Sequence, residues 1–197
     1  MLSRLSIKQK LNLIMLVPLV VIVLLAVKLT LDSYGISKNL NSLDKVVVLS
    51  TKIGALVHES QKERGMTSSF IETKGEQFKT ELPSQRLNVD EKLKEFNTFL
   101  SSFDKTGYSL EFTQNLDSAI KKLEELGSIR SGVNSFSIKG FIAIEYYTEL
   151  NKLLLNVIGS ITKLSNNAEI TENLVSYMSF LLVKERTGIE RAIGTNT

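Results

Sequence analysis

The sequence contains no cysteine, no tryptophan, one histidine and two prolines among 197 residues. Without cysteine, a disulfide framework and thiol chemistry are excluded. The single imidazole, His58, supplies little for a metal site, so we predict no metal and no cofactor. No catalytic partner accompanies His58, and paired carboxylates such as Glu124 and Glu125 are adjacent on a helix and point apart. The sequence therefore predicts a protein that is not an enzyme.

The positive charge is concentrated in the first part of the chain. Residues 1–31 carry four of the 24 basic residues and no acid, which leaves 20 basic against 21 acidic residues in the remainder. That nearly neutral remainder offers no basic surface, and no aromatic residues alternate with Lys or Arg, so we predict no nucleic-acid partner. Any anion must then be held by a local arrangement of side chains.

Residues 11–31 form a long apolar run. The run is uncharged up to Val27 and has a single Lys28 near its end, and roughly 20 such residues span a bilayer. Because no small-residue cleavage site follows, we predict an uncleaved transmembrane helix in preference to a signal peptide. The basic residues before it predict a cytoplasmic N-terminus in the bacterial inner membrane, with a periplasmic or otherwise extracytoplasmic domain after it.

Helical periodicity dominates the chain from residue 36 onward. A spacing of three and four residues predicts an inward seam on the first helix, and the seam changes from apolar to polar along the helix. Its members are Leu43, Val46, Ser50, Ile53, Val57, Ser60, Arg64, Thr67 and Ile71. The first helix is predicted to break near Lys74 and Gly75. Four further helical segments follow, near 76–103, 109–126 with Ser109 as the N-cap, 141–165 and after 166–169. We predict an all-α, up-and-down helical bundle that continues from the transmembrane helix.

Two similar strings lie in the first and last helices. Residues 63–68 read ERGMTS and residues 190–195 read ERAIGT, each with an acid, an arginine, a small, an apolar, a small and a hydroxyl residue. The seam of the first helix predicts that Arg64 points into the bundle. The same spacing of three and four residues, continued from Leu174 on the last helix, predicts that Arg191 also points inward, although Val175, Leu182 and Ile189 define a competing face. A buried arginine needs an anion, and its planar guanidinium suits small oxyanions.

An internal salt bridge is the alternative interpretation of these arginines. Glu59, Glu145 or Glu185 could neutralise them across the bundle, which would make the protein a structural bundle without a ligand. Arg86 and Arg130 could also line a pocket, but their spacing does not argue for it. On these residues alone the choice stays open.

Three tracts resemble a known family, the nitrate- and nitrite-sensing (NIT) domain of bacterial chemoreceptors, sensor kinases and transcription antiterminators. They are HESQKERGMTSSF, residues 141–155 with Tyr146, Tyr147 and Thr148, and KERTGIERAIG. The resemblance covers roughly residues 50–197. It implies an all-helical sensor in which two arginines clamp nitrate or nitrite and small residues contribute backbone or hydroxyl contacts. The implied site residues are Arg64, Arg191, Gly65, Thr67, Ser68 and Ala192.

With an apolar helix in front of it, this domain resembles the front of a methyl-accepting chemotaxis protein. The expected layout is a basic N-terminus (1–10), a transmembrane helix (11–31), a helical stalk (32–49) and the sensor domain (50–197). We expect the domain to be incomplete at its C-terminus, because family members continue into a second membrane helix and an output region. The prediction is an extracytoplasmic, homodimeric nitrate or nitrite sensor for chemotaxis. A sensor of another small anion is the narrower alternative.

Overall fold

The computed structural model describes residues 7–162 and 168–194, with side chains described except at 9–14, 17, 32–43, 162, 168–170 and 191–194. The chain divides into two units, Met1–Asp44 and Lys45–Thr197. Six helices are described across the chain. They are α1 (Ile7–Glu72), α2 (Glu81–Ser101), α3 (Leu110–Glu124), α4 (Leu126–Asn134), α5 (Gly140–Thr162) and α6 (Ala168–Gly194). The predicted all-α class is confirmed.

The first unit includes residues 11–31, the segment that the sequence analysis assigned to a membrane. Its described apolar side chains, such as Leu19, Leu24 and Leu31, are exposed. A membrane span requires roughly 20 consecutive apolar residues. Among the described residues, no helix combines the length and hydrophobicity of such a span. The predicted transmembrane helix is therefore not supported, and its residues 11–14 and 17 lie outside the described side chains.

In the second unit, the ends of the first three helices follow local sequence signals. After α1 ends, Lys74 and Gly75 adopt positive φ angles of 49° and 88°, which turns the chain where a break was predicted. α2 begins at Glu81, so Pro83 lies in its first turn, where its missing N–H costs nothing. Ser109 caps α3 by accepting a hydrogen bond from the Phe112 N–H at 3.2 Å. This predicted cap is confirmed.

A short helix, α4, was missed by the sequence analysis, which predicted five helices. Its nine residues include Gly127 and Gly132, which disfavour a helix on their own. Tertiary packing stabilises it, because Leu126 and Val133 are buried. Gly132 also approaches Ile138 so closely that an added Cβ would lie 2.8 Å from it. The helix carries Arg130, which forms an ion pair with Glu63 of α1.

The core of the second unit lies among the inward faces of its helices. The seam of α1 is confirmed at its described positions from Val46 to Thr67, all of them buried. α5 is the most enclosed helix, with buried side chains from Ala143 to Ile161, and it packs against α3, α4 and α6. Phe141, in the first turn of α5, is 61% exposed.

Candidate functional site

Two neighbouring charged residues on α1 are both buried. The exposed fractions are 0% for Glu63 and 1% for Arg64. Consecutive residues on an α-helix point about 100° apart, so the two side chains reach different neighbours. Burial of an ionised group is costly unless it is paired and hydrogen-bonded. Each of these charges has its own set of partners.

Glu63 is held by donors from α4 and α5. Arg130 donates from Nε to Glu63 Oε1 and from Nη2 to Oε2, both at 2.7 Å, which is the two-pronged geometry that arginine makes with carboxylates. The Tyr147 hydroxyl donates to Glu63 Oε1 at 2.7 Å. Both carboxylate oxygens are therefore satisfied. We call Glu63, Arg86, Asp90, Arg130 and Tyr147 the Glu63 cluster.

Two further residues of the Glu63 cluster lie on α2. Arg130 Nη1 donates to Asp90 at 2.5 Å, and Arg86 Nε lies 3.3 Å from Glu63 Oε1, within ion-pair distance but without hydrogen-bond geometry. Burial and the Glu63 charge raise the pKa of the Tyr147 hydroxyl, so it stays a donor. Burial alone would lower the pKa of Arg130, but its bonds to Glu63 more than offset this and raise it. The cluster is an ionic network in which the Glu63 carboxylate is fully hydrogen-bonded, while Nε and Nη2 of Arg86 are buried without a hydrogen-bond partner.

The sequence analysis mentioned Arg86 and Arg130 without assigning them a role, and it took Tyr147 for a core residue. The sequence did contain an indication of this cluster. Glu63 directly precedes the inward Arg64, and a buried Glu63 would need a positively charged partner. The cation could not be chosen, because Arg130 lies on the helix that periodicity did not predict.

Arg64 faces α5 and α6. Its Nη1 donates to the Thr148 hydroxyl at 3.0 Å and to Glu185 Oε1 at 2.5 Å, while Nη2 lies 3.4 Å from Glu185 Oε2. Glu185 is itself buried and also accepts from the side-chain amides of Gln61 (2.7 Å) and Asn151 (3.4 Å). The five residues form the Arg64 cluster, in which one positive and one negative charge balance.

Some hydroxyls beside the Arg64 cluster have no hydrogen-bond partner. Thr67 is one turn further along the seam from Arg64, and Ser68 follows it; both side chains are buried, and both hydroxyls are unpartnered. An unsatisfied buried hydroxyl costs about 1–3 kcal/mol. Each of these two hydroxyls therefore keeps a hydrogen-bond donor for which the structure shows no acceptor.

Two glycines near Arg64 differ in the space around them. At Gly188 on α6, an added Cβ would lie 2.7 Å from Arg64 Nη2, so the absence of a side chain lets the guanidinium approach the α6 backbone. At Gly65 on α1, nothing lies within 4 Å of an added Cβ. Gly188 is therefore required for close packing, whereas Gly65 leaves open space.

That open space belongs to a groove between α1 and α6 of about 600 Å³. Its walls include Gln61, which donates to Glu185, and Gly188, which approaches Arg64 Nη2, together with Gly65, Ser68 and Lys184. A four-atom anion occupies about the volume of two water molecules, roughly 60 Å³. The groove is thus an entrance to the Arg64 cluster rather than a fitted anion site.

His58 and Lys184 lie at the same groove, with Lys184 Nζ in contact with His58 Nδ1. Burial, followed by the Lys184 charge, lowers the pKa of His58, and burial also lowers the pKa of Lys184. Close contact favours the uncharged form of at least one of the two. Among the described residues, no group of three or more His, Cys, Asp or Glu side chains could hold a metal.

The second arginine of the predicted clamp, Arg191, and the neighbouring Ala192 have side chains outside the described residues. Of the register predicted from Leu174, Leu174 and Leu181 are buried, whereas Val175 and Leu182 of the competing face are exposed. Nearer to Arg191 the two faces do not differ, because Gly188 of the register and Ile189 of the competing face are both half-buried. The six predicted site residues stay a prediction, and four of them, Arg64, Gly65, Thr67 and Ser68, lie within five consecutive positions of α1.

Three comparisons with known proteins agree on a family. A family model described as nitrate and nitrite sensing, NIT, matches residues 55–197. A nitrate regulatory protein of Klebsiella oxytoca is 27% identical over 157 residues, which cover 80% of this chain and 39% of the relative. The solved structure of the NasR transcription antiterminator matches with a TM-score of 0.76 and 26% identity, over 80% of this chain and 43% of that one. This chain therefore spans about two fifths of the relatives it matches.

These relatives overturn the predicted output and location. One is named as a regulatory protein and the other as a transcription antiterminator. The prediction of a chemotaxis sensor in the inner membrane with a periplasmic domain is wrong, and so is the predicted exclusion of nucleic acid, because antitermination is a step of transcription. The physical reason is that one helical sensor domain can serve different outputs, so the fold of the domain does not specify the output. The homodimer stays a prediction.

Proposed function

Because this chain belongs to the nitrate- and nitrite-sensing (NIT) family, we propose that it binds nitrate or nitrite at Arg64 and acts as the sensory part of a protein that regulates transcription. Both relatives are regulatory proteins rather than enzymes, and a regulatory role without catalysis is proposed for this chain as well. The proposed ligand is a small planar or bent oxyanion. The proposed site combines Arg64, Gly65, Thr67 and Ser68 of α1 with Arg191 and Ala192 of α6.

One observation carries the proposal: a fully buried arginine is followed, one turn further along α1, by two buried hydroxyls without partners, and one of them, Ser68, lines a groove. Arg64 supplies positive charge and a planar set of donors. Thr67 and Ser68 supply neutral donors that have no other described partner, and Gly65 leaves space beside them. Together these groups match the charge, size and hydrogen-bonding needs of nitrate.

The competing function is a structural bundle without a small ligand. The ion pair between Arg64 and Glu185 favours it, because that pair already satisfies the buried charge. The two functions differ in one measurable respect. A structural bundle gives no binding signal with nitrate, whereas a sensor binds nitrate through Arg64.

Isothermal titration of the full chain with sodium nitrate and sodium nitrite, each against sodium chloride, tests the proposal. We expect binding of nitrate or nitrite that is abolished in Arg64→Ala and strongly weakened in Arg191→Ala. A ligand at one hundred times its Kd adds about 2.7 kcal/mol of stability, so thermal unfolding with and without nitrate is a second readout.

The matched control is Arg186→Ala, which removes the same charge from an exposed position of α6. It should bind nitrate as the wild type does. If neither anion binds the wild-type chain, or if Arg64→Ala binds as tightly as Arg186→Ala, the proposed function is wrong.

A further inference from the structure

The partner of Arg64 has the same chemistry as the proposed ligand. The Glu185 carboxylate presents two oxygens on one planar edge to the guanidinium, at 2.5 Å from Nη1 and 3.4 Å from Nη2. Nitrate and nitrite present the same kind of edge. A guanidinium binds such an edge with parallel hydrogen bonds. The carboxylate and a bound oxyanion would therefore occupy the same donors.

Charge makes simultaneous binding unfavourable. Arg64 and Glu185 are 1% and 6% exposed, and together they are neutral. Without a second cation such as Arg191, an anion added to this pair would leave an uncompensated negative charge in a buried position, which is costly. The approach of Gly188 to Arg64 Nη2 leaves little space on that side of the guanidinium. An anion gains the full attraction of Arg64 only when Glu185 withdraws.

Glu185 has partners that can retain it after it leaves Arg64. The Gln61 amide donates to Oε2 at 2.7 Å and the Asn151 amide lies 3.4 Å from the same oxygen. Both are neutral donors on the side of the carboxylate away from the strongest Arg64 bond. Their hydrogen bonds lower the free-energy cost of moving the Glu185 carboxylate away from Arg64, but they do not neutralise its negative charge.

We propose, on the basis of the function proposed above, that Glu185 is a built-in competitor for the ligand and that the oxyanion replaces its carboxylate on Arg64. Glu185 sets the affinity of the site, since each binding event must break its ion pair. It also sets the ligand class, because only an anion with two oxygens on one edge replaces both bonds. The exchange acts directly on α6, the helix that carries both Glu185 and Gly188.

Removal of the competing charge should strengthen binding. In Glu185→Gln, the neutral amide cannot match a carboxylate on Arg64, and hydrogen bonds to charged groups are roughly twice as strong as neutral ones. We expect nitrate to bind roughly tenfold tighter or more in titration calorimetry of the full chain. Glu185→Asp retains the charge but shortens the side chain, so its affinity should lie between those of the wild type and Glu185→Gln.

Glu190→Gln is the matched control, because it removes one acidic charge from an exposed position on the same helix. It should leave nitrate affinity within about twofold of the wild type. Melting curves without nitrate show whether each variant is folded, and Glu185→Asp replaces Glu185→Gln in the test if the latter does not fold.

The outcomes separate this proposal from the proposed function. If the wild type binds nitrate through Arg64 but Glu185→Gln binds equally or more weakly, the exchange is overturned and the sensing function stands. If Glu185→Gln and Glu190→Gln tighten binding equally, a general charge effect replaces the exchange. If neither the wild type nor Glu185→Gln binds nitrate, both proposals fail together.

Discussion

The Glu63 and Arg64 clusters are centred on adjacent residues of α1 that carry opposite charges. In the first, a carboxylate is at the centre, and donors from Arg130 and Tyr147 occupy both of its oxygens. In the second, an arginine is at the centre, with a single carboxylate and a hydroxyl as its acceptors. A groove lies beside the second, and unpartnered polar atoms occur at both: Arg86 Nε and Nη2 in the first, and the hydroxyls of Thr67 and Ser68 beside the second.

This difference shows how burial alone fails to identify a binding site. Both charges are almost completely inaccessible, so exposure does not distinguish them. The distinction lies in the surroundings: both oxygens of the Glu63 carboxylate accept hydrogen bonds from Arg130 and Tyr147, whereas a groove lined by Gly65 and Ser68 lies next to Arg64 on α1. We infer that the first cluster stabilises the fold and that the second is available for exchange with a ligand.

The largest expected effect is the loss of protein stability when the Glu63 cluster loses its central charge. Glu63→Gln leaves the charges of Arg130 and Arg86 without their buried counter-ion. Breaking a buried ion pair from one side costs about 3–5 kcal/mol. Urea denaturation followed by circular dichroism should show a loss of that size in the free energy of unfolding.

The control for this prediction is Glu145→Gln, on an exposed position of α5, which should change stability by no more than about 0.5 kcal/mol. If the two variants lose similar amounts, the Glu63 cluster does not have the structural role assigned to it.

A pair of threonines tests the Arg64 cluster more finely. Thr148→Val removes an acceptor from buried Arg64 and should cost about 1–3 kcal/mol of unfolding free energy. Thr67→Val removes a hydroxyl without a described partner, so stability should stay the same or rise by about 1 kcal/mol, while nitrate binding weakens. Denaturation and calorimetry of both variants measure this contrast. Equal losses of stability would mean that Thr67 is satisfied in the folded protein.

Alanine substitutions of two glycines compare the packing of α1 and α6, the helices on either side of the groove. Gly188→Ala places a Cβ against the held guanidinium of Arg64 and should destabilise the protein by about 1–2 kcal/mol. Gly65→Ala meets no neighbour and should stabilise α1 by about 0.5–1 kcal/mol through helix propensity. Thermal unfolding of the two variants should shift in opposite directions. A shift in the same direction would contradict the close packing at Gly188.

The smallest effect concerns pH. Burial and the Lys184 charge, with a smaller contribution from Lys62, lower the pKa of His58 below its ordinary 6.5, and Glu59 opposes them. The unfolded chain therefore binds a proton more readily, so His58 reduces stability as the pH falls below about 6.5. Between pH 7.5 and 5.5, the melting temperature should fall slightly less in His58→Gln than in the wild type. An equal fall would show that His58 does not contribute.

Much of the fold was predictable from local patterns. The seam through Val46, Ile53 and Val57 and the cap at Ser109 were correct because apolar spacing and capping chemistry act over a few residues. α4 was missed because its glycines disfavour a helix and only tertiary packing stabilises it. The transmembrane helix is not supported and the chemotaxis output was wrong, because an apolar run and a sensor domain each occur in more than one kind of protein.

The site was predictable in part. The seam count placed Arg64 inside the bundle, as the structure does. Glu185 was one of three acids considered as its partner, and nothing in the sequence could choose among them, since pairing across 121 residues depends on how α6 packs against α1. Arg130 was unassigned for the same reason. Long-range pairings require the three-dimensional arrangement.

The Thr148 hydroxyl affects how strongly Arg64 can bind an anion. Its proton is donated to the Ile144 carbonyl at 2.8 Å, so its lone pair is directed at Arg64. The guanidinium therefore keeps one fixed bond when Glu185 departs. A side chain that is already oriented loses little rotational freedom when a ligand arrives. Thr148 thus reduces the entropy cost of binding and keeps Arg64 ready between binding events.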